Sequence, residues 1–354
     1  MFYYLSSHLK DSLFFANVFH YTSFRAGGAL LTTLFFSLLF GNWFIELWAD
    51  FFRSKVREYT PESHQIKNNM PTMGGIFILL TVFLSTFLWG DLSNPLNWIF
   101  LLCLFGFGAI GFWDDWAKIK RSRGISARTK FIAQWSIALV VVLLWVYGAG
   151  AKTTISFPFF KNLNPDVGLF FIFWAAFIIV SCSNAVNITD GLDGLAIGSL
   201  LPNFALYSLI AFLAGHFLIA AYLNIPFAGS AEMAVMGATL IGASLGFLWY
   251  NAYPAQVFMG DVGSLALGAG LALLALITKQ ELLLIISGGL FVLETVSVMM
   301  QVFVYKRWKK RIFKMAPIHH HFELLGWPEA KITTRFGIIS LILCLFAFIT
   351  LKLR

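Results

Sequence analysis

Residues 96–113 read Leu-Asn-Trp-Ile-Phe-Leu-Leu-Cys-Leu-Phe-Gly-Phe-Gly-Ala-Ile-Gly-Phe-Trp, and Asp114-Asp115 follow at once. The run carries no charge and is close to the roughly 20 mostly apolar residues that a bilayer-spanning helix needs. It then ends on two adjacent carboxylates. The apolar run sets the fold class, and the acids show where the chemistry begins.

Working outward, nine further apolar runs fall at 24–48, 71–89, 131–150, 167–184, 195–214, 232–249, 262–279, 282–304 and 336–353. Polar or Gly/Pro-bearing connectors separate them, as hydrocarbon demands of irregular backbone. Composition agrees. Of 354 residues 59% are hydrophobic and 12% charged, against roughly 25% charged in a soluble domain. So little polar side chain cannot cover a water-facing globule, so lipid must be the solvent for much of the surface. The expected fold is all-α, a polytopic integral membrane protein of about ten transmembrane helices, with residues 1–354 forming a single domain.

The net charge is +8 and the pI about 9.4. In a soluble chain that balance would point to nucleic acid. Here it is read as positive-inside bias, and no nucleic-acid partner is expected. Connectors 49–70, 114–130 and 305–335 hold 18 of the 25 Lys and Arg residues. That side is therefore assigned to the cytoplasm, and both termini to the periplasmic side. Cys103, Cys182 and Cys344 are scattered through apolar runs, which argues against a disulfide framework or a thiolate zinc site. The first twenty residues lack the form of a cleavable signal and read as an interfacial segment. Residues 152–165 read as a short external hairpin.

The chemically notable clusters all fall on the cytoplasmic connectors. Lys67 precedes Pro71-Thr-Met-Gly-Gly75, where a helix start with small residues beside a cation suits a phosphate and equally fits a plain helix start with a tight packing face. Asp114 and Asp115 repel each other at a membrane boundary, so they call for a cation or for uptake of a proton. Hard oxygen ligands beside Lys118 and Lys130 fit Mg²⁺ holding a phosphate. The same pattern also fits an ordinary helix stop paired to Lys118 and Arg121. Asn184, Asn187, Asp190 and Asp193 recur every third residue, and the two acids have no Lys or Arg near them in sequence. Unpaired carboxylates at membrane depth are costly, so a metal or a basic ligand from elsewhere is expected.

Asn251 opens a connector that runs through Phe258 to Gly260-Asp261-Val-Gly-Ser264, a helix start with no basic residue near it. Asp261 reads as a metal ligand or proton acceptor, with an N-cap as the plain alternative. Phe258 reads as a residue able to stack on a base, with lipid packing as the plain alternative. His319, His320 and His321 cannot all face one point of a regular helix, so they read as donors to a pyrophosphate or uracil rather than as a zinc site. Glu294 lies deep in a candidate span, with Gln301 as a possible partner.

Taken together, Lys67 with P-T-M-G-G, D-D at 114–115, N-A-V-N-I-T-D-G-L-D-G at 184–194, G-D-V-G-S at 260–264 and A-P-I-H-H-H-F-E at 316–323 resemble the polyprenyl-phosphate N-acetylhexosamine-1-phosphate transferase superfamily. Within it they resemble the muramoyl-pentapeptide branch. The resemblance covers essentially the whole chain, with five motifs in order. It implies transfer of phospho-N-acetylmuramoyl-pentapeptide from its UDP carrier to undecaprenyl phosphate. The products are lipid I and UMP, in the first membrane step of peptidoglycan synthesis, on which cell shape and division depend.

The implied cofactor is Mg²⁺ bound by Asp261, with Asp114 and Asp115 acting at the lipid phosphate. Lys67, Asn187, Asp190 and Asp193 would contact the nucleotide sugar, Phe258 the base, and His319 to His321 the pyrophosphate and sugar. Asn184, Asn251, Gly260, Ser264, Lys118 and Lys130 complete the candidate substrate-binding set. The implied setting is the bacterial inner membrane, where homodimers are common in the family. The nearest competing reading is a sister transferase using UDP-GlcNAc, set apart by the unbroken His-His-His-Phe-Glu of the last loop. A secondary transporter would instead place unpaired charges near the bilayer midplane, where only Glu294 lies.

Overall fold

The computed structural model of the chain describes residues 1–9, 14–49, 52, 70–121, 123–160 and 163–352. In chain order its helices are α1 Phe2–Leu9, α2 Thr22–Ala49, α3 Gly75–Trp89, α4 Pro95–Arg121, α5 Ala127–Leu143, α6 Phe170–Thr189 and α7 Leu195–Ala214. There follow α8 Phe217–Leu223, α9 Ala231–Asn251, α10 Gly260–Ile277, α11 Leu284–Ser287, α12 Gly289–Trp308, α13 Ile318–Glu323 and α14 Glu329–Thr350. Among the described residues nine helices are long and apolar enough to cross a membrane, and α3 is a shorter apolar tenth. The all-α polytopic reading holds.

Helix α10 is the axis of the bundle. Every residue from Val262 to Ile277 is buried, and α3, α4, α6 and α7 pack around it. Its composition of Leu, Ala and Gly explains this, because small residues let helix backbones approach closely where lipid gives no hydrophobic drive between helices. The approach is closest against α3, where a Cβ on Gly75 would lie 2.1 Å from the Gly263 nitrogen. The outer helices behave in the opposite way. Phe35 and Trp43 on α2, Met299 and Phe303 on α12 and Ile342 on α14 are exposed. Apolar exposure of this kind around a whole bundle needs hydrocarbon, not water, as its solvent.

Several boundaries differ from the sequence reading. Helix α4 does not stop at Trp113 but continues through both aspartates to Arg121. Lys118 pairs with Asp114 at i+4 and with Asp115 at i+3, holding the extra turns. The run 282–304 is not one span, since the chain breaks at Gly288 between α11 and α12. The last span begins at Glu329, behind Pro328, rather than at 336. On the opposite side of the bundle, residues 153–155 run antiparallel to 165–167, with Ile155 N–H to the Pro165 carbonyl at 3.1 Å and Val167 N–H to the Thr153 carbonyl at 3.1 Å. Cys103 and Cys344 are buried and all three cysteines are free.

At that same end, the outer one by the distribution of Lys and Arg, Arg25 opens α2 and Glu232 opens α9. The guanidinium meets both carboxylate oxygens at 2.8 Å. Glu232 also accepts from the Asp91 N–H at 2.7 Å and the Asn97 amide at 3.2 Å.

Candidate active site

At the inner end, the last turns of α4, the first turn of α10 and the last turn of α6 meet. Asp114, Asp115 and Asp261 each place a carboxylate oxygen within 4.8 Å of the others. Missing side chains make the meeting possible. A Cβ on Gly111 would lie 2.3 Å from the Asp261 carbonyl, and one on Gly124 would lie 2.3 Å from Asp114 Oδ1. Gly260 has φ +72°, a left-handed turn that also brings it against Asp115 Oδ2, and both demands favour glycine.

The two adjacent aspartates are handled alike. Each has one oxygen held by backbone and one turned to the lysines. Asp114 Oδ1 accepts the Ile125 N–H at 2.8 Å, while its Oδ2 lies 2.8 Å from Lys118 Nζ. Asp115 Oδ2 accepts the Asp261 N–H at 2.8 Å, while its Oδ1 lies 3.0 Å from Lys118 Nζ. Asp115 thus caps the N-terminus of α10, which satisfies a helix-end donor. The plain reading of Asp261 as an N-cap falls away, because Asp261 sits inside the first turn and is itself the residue capped.

Lys118 also lies 3.0 Å from Asp261 Oδ1. Lys130, from the first turn of α5, contacts Asp261 Oδ2 and lies 3.4 Å from Asp114 Oδ2. Asn187 donates to Asp261 Oδ1 at 3.1 Å and to Ser264 Oγ at 2.8 Å. Three converging carboxylates share two ammonium groups, which leaves room for further positive charge. Buried hard oxygen donors are the set a divalent cation such as Mg²⁺ takes, so these residues fit one. Asp190 lies beside this cluster and keeps part of its surface open. The protein packed around it strips enough water to raise its pKa well above the usual carboxylate range. The negative fields of Asp261, Asp115 and Asp193 add to the rise, and Lys118 offsets part of it.

The remaining candidates divide. Asn184 turns to α5, exchanging hydrogen bonds with Gln134 at 2.8 and 3.4 Å. Asn251 is buried and ties two connectors together, accepting from the Gly194 N–H at 3.1 Å and donating to the Val257 carbonyl at 2.8 Å. Asp193 Oδ2 accepts the Ala255 N–H at 3.1 Å, and its own N–H meets Glu329 Oε1 at 2.7 Å. Phe258 is half-buried, its backbone paired with Pro71 and Gly74 at 2.9 Å. Lys67 lies outside the described residues.

The three histidines take three partners. His319 Nδ1 meets Glu294 Oε2 at 3.1 Å, both fully buried. His320 meets Glu323 at 3.0 Å, and His321 Nδ1 accepts the Lys314 N–H at 3.1 Å. The partner of Glu294 is therefore His319 and not Gln301, which instead holds the backbone of Ile312 and Phe313 at 3.0 Å. His319 Nε2 points at the 190–194 turn, 2.3 Å from where a Gly191 Cβ would sit. Sequence reasoning missed Gln134 and Glu329. A signal for Glu329 was present in its place just after Pro328, at a helix start. None marked Gln134.

Comparison with known proteins follows the same lines. The description of glycosyl transferase family 4 matches residues 97–279, a stretch that holds Asp114, Asp115 and Asp261. A phospho-N-acetylmuramoyl-pentapeptide-transferase of Syntrophus aciditrophicus is 49% identical over the full length of both chains. Proteins of the same description from Desulfotalea psychrophila and Desulfatibacillum aliphaticivorans are each 50% identical, again over the full length of both. The chain belongs to glycosyl transferase family 4, and within it to the phospho-N-acetylmuramoyl-pentapeptide-transferases.

Proposed function

We propose that this protein transfers phospho-N-acetylmuramoyl-pentapeptide from UDP to undecaprenyl phosphate, releasing UMP and leaving lipid I in the bacterial inner membrane. The observation that carries the reading is end-to-end similarity at about half identity to transferases of that description. A built acidic site at one end of the bundle supports it. In the reaction a lipid phosphate oxygen attacks the β-phosphorus of the UDP sugar. The bond from that phosphorus to the bridging oxygen breaks, and UMP departs with the electron pair.

Phosphoryl transfer asks mainly for in-line positioning and charge neutralisation. Lys118 and Lys130 supply positive charge toward the phosphates from opposite sides of Asp261. Asp114 and Asp115, each pinned through one oxygen, present the other to the lipid phosphate and keep it deprotonated for direct attack. A bound Mg²⁺, held by Asp261, would neutralise charge gathering on the pyrophosphate. Asn187, itself held by Ser264 Oγ, fixes the Asp261 carboxylate. Asp190, Asp193 and the His319 region border the space for the nucleotide sugar.

The test is UMP release by purified protein supplied with undecaprenyl phosphate and either UDP-N-acetylmuramoyl-pentapeptide or UDP-GlcNAc, with and without Mg²⁺. Release from the muramoyl donor alone, dependent on Mg²⁺ and lost in Asp261→Ala, is the expected outcome. Release from neither donor by a folded sample would sink the reading. A labelled phosphosugar trapped on an aspartate without lipid phosphate would replace direct attack by a two-step route.

A further inference from the structure

The densest charge outside the acidic site lies where α12 leaves the bundle at its inner end. Five of the six residues 306–311 are cationic, arranged around Trp308, and no acidic residue occurs between Glu294 and Glu323. All six side chains are exposed. Among the described residues none of Lys306, Arg307, Lys310 and Arg311 pairs with a carboxylate, whereas Lys118 and Lys130 of the neighbouring basic connector are taken up by the aspartates. A bias in residue counts between the two sides accounts for cations on this face. It does not account for five of them crowded, unneutralised, onto one helix end.

Two further features place these cations. The face of α12 leading to them is apolar and exposed, with Met299 and Phe303 each 65% and Trp308 57% accessible, so the helix flank must lie in hydrocarbon. Tyr305 and Trp308 mark its end, and aromatic side chains of this kind settle at head-group depth. Beyond the helix the chain does not trail away. Lys309 takes a left-handed conformation, φ 54°. Gln301 then accepts the N–H groups of Ile312 and Phe313 and donates to the Phe313 carbonyl. That clamp folds residues 309–313 back beside α12 and keeps Lys310 and Arg311 close to the helix end.

We propose that Lys306, Arg307, Lys310 and Arg311 form a binding surface for the head groups of anionic phospholipids. Cations immediately inside a membrane surface attract such lipids with roughly fivefold gain each. The last turn of α12 and the folded-back loop together hold four of them without carboxylates to compete. The surface is separate from the aspartate cluster and does not depend on what the enzyme transfers.

The experiment uses the full chain, purified in detergent and titrated with phosphatidylglycerol or with phosphatidylcholine, bound lipids being counted by native mass spectrometry. The wild type should retain phosphatidylglycerol in preference, and rising salt should erode that preference. Replacing Lys306, Arg307, Lys310 and Arg311 together by Gln should weaken phosphatidylglycerol binding at least about tenfold and leave phosphatidylcholine binding alone. The same exchange at Lys120, Arg121, Arg123 and Arg128, exposed cations of the same face that no such clamp gathers, should weaken phosphatidylglycerol binding clearly less and leave phosphatidylcholine binding alone. If the fourfold variant has a lowered thermal midpoint, the pair Lys310→Gln and Arg311→Gln, both beyond the helix, repeats the test. Absence of a preference in the wild type, its survival in the variants, or an equal loss in the control set would overturn the proposal. So would displacement of the lipid by poly-glutamate at lower concentration, which would assign the surface to an acidic protein partner.

Discussion

The molecule has charged clusters at both ends, and they are built on different plans. At the outer end one carboxylate, Glu232, faces one guanidinium, Arg25, through two contacts of 2.8 Å and takes further hydrogen bonds from Asp91 and Asn97. Charge is balanced and the donors converge on one acceptor. At the inner end three carboxylates share two lysines, and each adjacent aspartate spends only one oxygen on the backbone. A buried pair that balances its charge fixes how helices meet. A buried cluster that leaves negative charge over is costly unless something binds it, and that is the mark of a site. The difference teaches that burial of charge alone does not identify function, whereas unbalanced burial does.

The largest expected effect separates the two plans. Asp114→Asn keeps an oxygen for the Ile125 N–H but removes the charge that faces Lys118. UMP release should fall on the order of a hundred- to a thousandfold, with a thermal midpoint close to the parent's. An activity within a fewfold of the parent's would mean the inner cluster is no more than a second structural pair.

Arg25→Ala should do the reverse. It strands Glu232 in a buried setting, at a cost of about 3–5 kcal/mol in stability, while the folded fraction works at the parental rate. Arg25→Met combined with Glu232→Leu should recover most of that loss, because an apolar pair of similar volume avoids the desolvation penalty. Unfolding in detergent followed by heat or denaturant measures both. A double variant as unstable as the single one would show that the outer network does more than orient α2 and α9.

Gly111→Ala probes the packing that brings α4 to α10. The new methyl group would meet the Asp261 carbonyl at 2.3 Å, backbone that cannot step aside. A stability loss of about 1–3 kcal/mol is expected, together with a drop in UMP release because Asp261 moves. Gly106→Ala on the same helix meets only side-chain atoms of Ile137, Cγ2 at 2.7 Å and Cδ1 at 3.3 Å, rather than backbone, and should cost less on both measures. Equal effects from the two would mean the crossing does not set the site.

Much of this was legible in the sequence because bilayer-spanning helices announce themselves by length and lack of charge. Asp114, Asp115 and Asp261 stood out for a related reason, being acids at the ends of apolar runs. What lay hidden was reciprocity between segments distant in sequence. That Asp115 caps α10, that Glu294 lies against His319 rather than near Gln301, and that Asn184 turns to Gln134 all depend on how helices rotate about their axes. Runs of Leu, Phe and Ala around every face leave that rotation unmarked. The continuation of α4 past Trp113 was masked for the same reason: hydropathy reports where the bilayer ends, not where the helix does.

The smallest expected effect concerns Asp190, whose pKa lies well above the usual carboxylate range through burial and the fields of Asp261, Asp115 and Asp193. A carboxyl raised on folding holds a proton that the unfolded chain has already released. Stability therefore falls as pH rises from the ordinary carboxylate range through the raised value, with a slope of at most about 1.4 kcal/mol per pH unit. Without divalent cation the parent's thermal midpoint should decline over that interval, and Asp190→Asn should flatten the decline. A cation at Asp261 would oppose the fields that raise Asp190, so added Mg²⁺ should flatten the parent's curve toward the variant's. A slope unchanged by the substitution would place the surplus charge elsewhere. A slope removed by Asn but indifferent to Mg²⁺ would mean that Asp190 answers to burial alone, and the contrast between the two ends would then rest on the three remaining aspartates.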